Sequence, residues 1–171
     1  LTPFNESSNW ANADVIKADQ LNPEKLWTGT DFGLYPYIHG STTLEATPEG
    51  ITNGSNVTDL DISADGQTLV AVMSNRLYIS NDGGNTFTHV NDGDNFSGFP
   101  EGGFGTAEVA ISRNNSEIIY ASLALPNGYL RGVFASVNGG NTWSTIAPQS
   151  NFGGQLSQFA PFYNGLSAQG W

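Results

Sequence analysis

The chain has 171 residues and no cysteine, which excludes a disulfide framework and thiol chemistry. Five basic residues against 16 acidic ones give a formal net charge of -11, so no patch can neutralise a row of phosphates, and neither nucleic acid nor an anionic membrane surface is an expected partner. The 21 glycines, many Asn, Ser and Thr, and a charged fraction of 12% are the composition of a turn-rich all-β protein. No run approaches the roughly 18 apolar residues of a membrane span, so membrane insertion is not expected.

The opening Leu1-Thr2-Pro3-Phe4 carries neither a methionine nor a signal-type apolar core, which reads as a processed or excised chain. From about residue 12 the sequence becomes repetitive. Leu26-Trp27-Thr28-Gly29-Thr30 through Leu34-Tyr35 aligns without a gap on Leu69-Val70-Ala71-Val72-Met73 through Leu77-Tyr78, at an offset of 43 residues. The register continues into the next turn, where His39, Gly40, Thr43 and Leu44 fall on Asp82, Gly83, Thr86 and Phe87. In the second copy four short β-like runs are expected, over Val57–Ile62, Thr68–Ser74, Arg76–Ser80 and Thr86–Val90. A third copy runs from Thr106 to Pro148, its turn 56 residues beyond the second (Phe87 to Trp143). The added length lies in the loop Asn91–Gly105 and the hairpin Ala124–Arg131.

Four antiparallel runs per repeat of this length describe a propeller blade, which cannot bury both sheet faces alone and must stack on neighbours. The expected fold is therefore all-β, a β-propeller fragment of about three four-stranded antiparallel blades over residues 12–50, 57–91 and 106–148. Residues 149–171 read as an inter-blade loop leading toward a further blade. Propellers need about four to eight blades, so the expected partners are the remaining blades of the same propeller, or another chain completing it.

Two turns share one wording: Ser80-Asn81-Asp82-Gly83-Gly84-Asn85-Thr86-Phe87 and Ser136-Val137-Asn138-Gly139-Gly140-Asn141-Thr142-Trp143. Asp82 or Asn138 can accept backbone N–H groups, the glycines can take positive φ, and the aromatic residue can anchor the turn to its sheet. The structural positions are thus Ser80, Asp82, Gly84, Thr86 and Phe87, then Ser136, Asn138, Gly140, Thr142 and Trp143. The pattern resembles the Asp-box of BNR-repeat propellers, a group that includes sialidases, xyloglucan hydrolases, sortilin-type receptors and plastid photosystem assembly factors. The tail around Gly165–Trp171 resembles stretches of large exported BNR-repeat proteins of Bacteroidetes. The resemblance implies a structural turn away from the functional face, and a secreted or cell-surface, bacterial protein. Asn138 and His39 stand where the box has Asp, so the first turn is expected to be irregular.

Candidate sites follow from the blade alignment. Asp14, Asp59 and Glu108 each precede an aliphatic residue on the expected innermost strand of a blade. They form either a carboxylate ring at the channel mouth or a set of acids accepting N–H groups from neighbouring segments. Asp92, Asp94 and Asn95 cluster oxygen ligands in one loop, as a hard cation such as Ca²⁺ requires, although the spacing is not that of an EF-hand; no other cofactor is expected. Glu101, with Asp31, Asp59, Asp61 and Glu108, could supply the carboxylate pair of a glycoside hydrolase. Arg76, Arg113 and Arg131 lie in separate hairpins and strands, so a sialidase-type arginine cluster is not expected. His39 and His89 read as surface residues, Trp27 as buried between blades, and Tyr129 as an aromatic binding residue at a hairpin tip. The function expected is a non-catalytic secreted or cell-surface module that binds protein or glycan through loops on one face; the alternatives are part of a xyloglucanase-like glycoside hydrolase whose catalytic acids lie mostly elsewhere, and an assembly or trafficking factor.

Overall fold

The computed structural model describes residues 12–41, 47–52, 54–90, 98–100 and 104–148. Among them there are eleven strands and no helix: β1 (Ala13–Ala18), β2 (Lys25–Thr30), β3 (Gly33–Ile38), β4 (Val57–Ile62), β5 (Leu69–Met73), β6 (Arg76–Ser80), β7 (Thr88–His89), β8 (Thr106–Ile111), β9 (Ile119–Ala124), β10 (Leu130–Ser136) and β11 (Ser144–Pro148). They form three antiparallel meanders in simple sequence order, β1-β2-β3, β4-β5-β6-β7 and β8-β9-β10-β11.

The second sheet shows how the sequence dictates the stack. Successive side chains of a strand point to opposite faces, and β5 is buried at every position, Leu69-Val70-Ala71-Val72-Met73, because both faces of its sheet are covered. Leu69, Ala71 and Met73 join Trp27, Leu34, Val57, Leu60, Ile62 and Phe87 in one core against the first sheet. Val70, Val72, Leu77 and Ile79 join Phe104, Ile111, Ile119, Leu123, Phe134 and Trp143 in a second core against the third sheet. Each fully buried aliphatic side chain is worth about 1.5–3 kcal/mol. These two dry seams therefore outweigh any single polar contact in holding the sheets together.

Local punctuation agrees with the residue types. β5 turns into β6 through Ser74 and Asn75, both at positive φ (47° and 62°), with Met73 paired to Arg76; this is the two-residue turn whose twist suits a hairpin. Ser74 belongs to this turn, so the run expected over Thr68–Ser74 is strand only over Leu69–Met73. The run expected over Thr86–Val90 joins its sheet only at Thr88–His89, because Thr86 at its start bridges Glu49 of the preceding segment instead.

The segments between sheets lie against the turn of the following sheet. Phe87 N–H donates to the Glu49 carbonyl at 2.8 Å and Glu49 N–H to that of Asn85 at 3.2 Å. Gly50 (φ +84°) sits so close that a Cβ would lie 1.9 Å from the Phe87 carbonyl oxygen, and Gly98 (φ +94°) meets Trp143 in the same way at 2.0 Å.

In the first sheet three strands are described; the expected fourth, near Thr43 and Leu44, lies outside the described residues, as does the 149–171 segment. His39 is exposed as expected, whereas His89 is half-buried with its ring 5.1 Å from Tyr78. Tyr78 of β6 is its partner across the strand pair and covers one side of the ring.

Candidate functional site: the inner strands and the hairpin end

β1, β4 and β8 are the first strands of their sheets, and the acids of interest lie on them. β4 reads Val57-Thr58-Asp59-Leu60-Asp61-Ile62, so Asp59 and Asp61 share one face while Leu60 and Ile62 enter the core on the other. Asp59 Oδ2 accepts the Val109 N–H at 2.7 Å and Asp61 Oδ2 accepts the Ile111 N–H at 2.7 Å. Two side chains of one sheet thus take up backbone donors on the inner edge of the next. Asp59 Oδ1 also accepts the Leu60 N–H at 2.8 Å. On the other side Lys17 Nζ of β1 lies 3.4 Å from Asp61 Oδ1, a half-exposed ion pair of small energetic weight.

Glu108 shares this environment. Burial, then the charge of Asp59 and a hydrogen bond shared with it, push the Glu108 carboxyl above its ordinary value. Burial likewise raises Asp59, against the pull of the Val109 and Leu60 N–H groups. Both carboxyls thus titrate above their ordinary values.

Strand register alters the expected threefold alignment. In β4 the pairing steps from Val57↔Met73 to Asp59↔Val72, and in β1 from Ala13↔Thr30 to Val15↔Gly29, with one bulged residue in each. Gly29 and Val72 are equivalent at the offset of 43, so Val15, not Asp14, stands level with Asp59. Glu108 pairs with Ser122 in β9, and Ser122 is the equivalent of Val72 at the offset of 50 that carries Leu69 onto Ile119, so Glu108 does stand at the Asp59 level. The carboxylates at this level are thus two, because the bulge places Asp14 with Thr58. Asp14 is exposed at an open depression of about 370 Å³, lined also by Ile16, Leu26, Thr28 and Tyr37 on the face of the first sheet turned away from the second.

The two Gly-Gly turns sit at the opposite end of the strands from the β9–β10 hairpin. In the second sheet Ser80 Oγ donates to Asp82 Oδ1 (2.7 Å) and accepts the Gly84 N–H (2.9 Å); Asp82 then accepts the Thr86 N–H (3.0 Å) and hydroxyl (2.7 Å). Burial opposes ionisation of Asp82, but these bonds from Thr86 and Ser80, with one from Asn85, outweigh it and hold the carboxyl below its ordinary value. In the third sheet Asn138 reproduces the geometry with one polarity reversed. Its Oδ1 accepts the Thr142 N–H at 2.9 Å while its Nδ2 donates to the Thr142 hydroxyl at 2.9 Å. Trp143 Nε1 donates to the Gly140 carbonyl at 3.0 Å.

The hairpin end is built from the β9–β10 turn and the segment entering β8. Tyr129, 44% exposed, follows a turn closed by the Gly128 N–H on the Leu125 carbonyl. Gly105, just before β8, lies close enough that a Cβ would be 2.8 Å from Pro126 Cα, so the entering segment and the hairpin share one end. Glu101, Asp92, Asp94 and Asn95 lie outside the described residues. Asp31 accepts the Asn12 amide at 2.6 Å, away from Asp59 and Glu108 on the opposite side of β1. Sequence reasoning had not singled out Lys17; the signal that could have found it is its place level with Asp61 once the bulges are counted.

No protein-family description matches the sequence, and no curated protein sequence matches it. Solved structures do. An ancestral GH74 enzyme superposes with a TM-score of 0.64 at 16% identity over 86% of this chain and 20% of its own. The GH74 xyloglucanase from Xanthomonas campestris gives 0.54 at 12% identity over 81% of this chain and 23% of its own. YCF48 bound to D1 peptide gives 0.51 at 14% identity over 81% and 40%. The fold is that of β-propeller blades, and the chain spans between about a fifth and two fifths of the length of these structures.

Proposed function

We propose that the chain is a blade segment of a secreted or cell-surface bacterial propeller that binds protein or glycan through loops at one end, without itself supplying catalytic acids. The observation that carries this reading is the use to which the inner acids are put: Asp59 and Asp61 spend their carboxylates on the Val109 and Ile111 N–H groups. A carboxylate held between strands as a backbone acceptor is poorly placed to act on a sugar. The Asp-box reading of the Gly-Gly turns agrees, since it assigns that end to structure and leaves the end with Tyr129 and the segment entering β8 for ligands. A peptide-bound propeller among the structural neighbours supports a polypeptide as one class of ligand. A calcium ion held by Asp92, Asp94 and Asn95 would order the loop that carries them.

The likeness to GH74 enzymes favours a second reading, in which the segment belongs to a glycoside hydrolase whose acids lie mainly on other blades. Glycan-array and peptide binding, run beside a xyloglucan hydrolysis assay on the intact polypeptide, separates the two. Binding without turnover supports the first reading, and sustained turnover removes it.

A further inference from the structure

The three sheets repeat not only their strands but the contacts each makes with its successor. On the second sheet, the face toward the third carries Asp59 at the inner edge, Val70 in the middle and Asn81 at the outer corner. Asp59 accepts the Val109 N–H, Val70 is fully buried in the shared core, and Asn81 Nδ2 donates to the Gly139 carbonyl at 3.4 Å. Register carries these three positions onto the third sheet as Glu108, Tyr120 and Val137: Leu69↔Ser80 in one sheet matches Ile119↔Ser136 in the next. The middle position differs sharply from its counterpart, and the corner, exposed in both sheets, changes from the polar Asn81 to the apolar Val137. Tyr120 is 43% exposed and Val137 69%, where Val70 is wholly buried. Two large apolar side chains on one face, at positions that are otherwise inter-sheet contacts, mark an interface without its occupant.

Resting on the reading of the chain as a propeller segment, we infer that Glu108, Tyr120 and Val137 receive a further four-stranded blade, whose innermost strand donates a backbone N–H to Glu108 and whose Gly-Gly turn packs on Val137. The occupant is defined by what the third sheet offers the second: an unpaired N–H on its inner edge, an apolar face, and a turn without side chains at the corner, where a Cβ on Gly140 would stand 2.0 Å from Ile79 Cδ1. A second copy of these same blades fits less well. Each copy carries a formal charge of -11, so two copies repel, and the β1 edge that a copy would present brings the exposed Asp14 toward Glu108. On docking, the incoming N–H takes over from the hydrogen bond that Glu108 now shares with Asp59.

The test is a structure of the intact polypeptide together with thermal unfolding of its Glu108→Ala, Glu108→Gln and Tyr120→Glu variants. The inference expects a blade over Tyr120 with a backbone nitrogen within about 3.2 Å of a Glu108 oxygen. It also expects a lower Tm for Glu108→Ala, recovery in Glu108→Gln, which keeps an acceptor oxygen, and the largest loss for Tyr120→Glu. A closed ring in which Glu108 meets no N–H, or in which a loop or a second copy covers Tyr120, overturns this inference and leaves the propeller reading standing. An intact protein in which these sheets join no ring overturns both.

Discussion

Asp59 of β4 and Val109 of β8, fifty residues apart, are joined by a 2.7 Å hydrogen bond from the Val109 backbone N–H to the Asp59 carboxylate. With the parallel bond between Asp61 and Ile111, it replaces strand pairing between two sheets whose inner edges face each other. Asp59→Ala leaves the Val109 donor without its partner and is expected to cost about 1–3 kcal/mol. Asp59→Asn keeps an acceptor and is expected to cost less than half as much. Urea denaturation of the two variants checks the ordering.

The second glycine of each turn is fixed by the neighbouring sheet. A Cβ on Gly84 would stand 2.2 Å from Trp27 Cζ2, at a φ of +84°. Gly84→Ala therefore combines left-handed strain with overpacking against a rigid ring, and is expected to lose roughly 2–5 kcal/mol. Gly83→Ala, where the nearest atom would be 3.6 Å away, carries only the conformational term and is expected to lose about 1–2 kcal/mol. Thermal melts of the pair measure the difference.

Asp82 makes the second turn sensitive to acid. Its folded-state carboxyl titrates below the ordinary aspartate value of 3.8, so on acidification the unfolded chain takes up the proton first. The stabilisation is present above that value and is lost as pH falls through the lower, folded-state one. Asp82→Asn, which installs the arrangement already seen at Asn138, is expected to flatten the stability profile below about pH 4 while leaving neutral stability nearly unchanged. Denaturation midpoints between pH 2 and 7 decide it.

The Asp59–Glu108 pair has the opposite sign. Both carboxyls are raised, so here the folded state takes up the proton first. The associated stability is present at low pH and is lost as pH rises through the folded-state values. Glu108→Gln removes the repulsion and is expected to raise stability at pH 7 by no more than about 1 kcal/mol, given how exposed Glu108 is. The gain should vanish at pH 3, and the same denaturation series run at both pH values reads it.

Much of the scaffold was legible in the residues. The apolar run Leu69–Met73, the alternation in Arg76–Ser80 and the Asn at the tight turn mark a hairpin by local rules alone, and β4 and β6 fall where the runs were expected. The burial of Trp27 followed from its alignment with Val70. The acids were legible only as candidates, because their partners are backbone groups fifty residues away that no spacing rule connects. Asp14 was placed one residue out because a bulge adds a residue without leaving a compositional mark. Val137 shows the same limit: the sequence marks it as a turn residue, but only the stacked sheets reveal that its counterpart Asn81 reaches the next turn.

Residue-resolved amide exchange of Val109 and Ile111 tests most directly whether successive sheets are stitched along their inner edge. The account predicts slow exchange at both amides in the native protein, with Asp59→Ala accelerating Val109 and Asp61→Ala accelerating Ile111, each selectively. Fast exchange at both positions in the native protein, or acceleration that ignores which aspartate was removed, would contradict it.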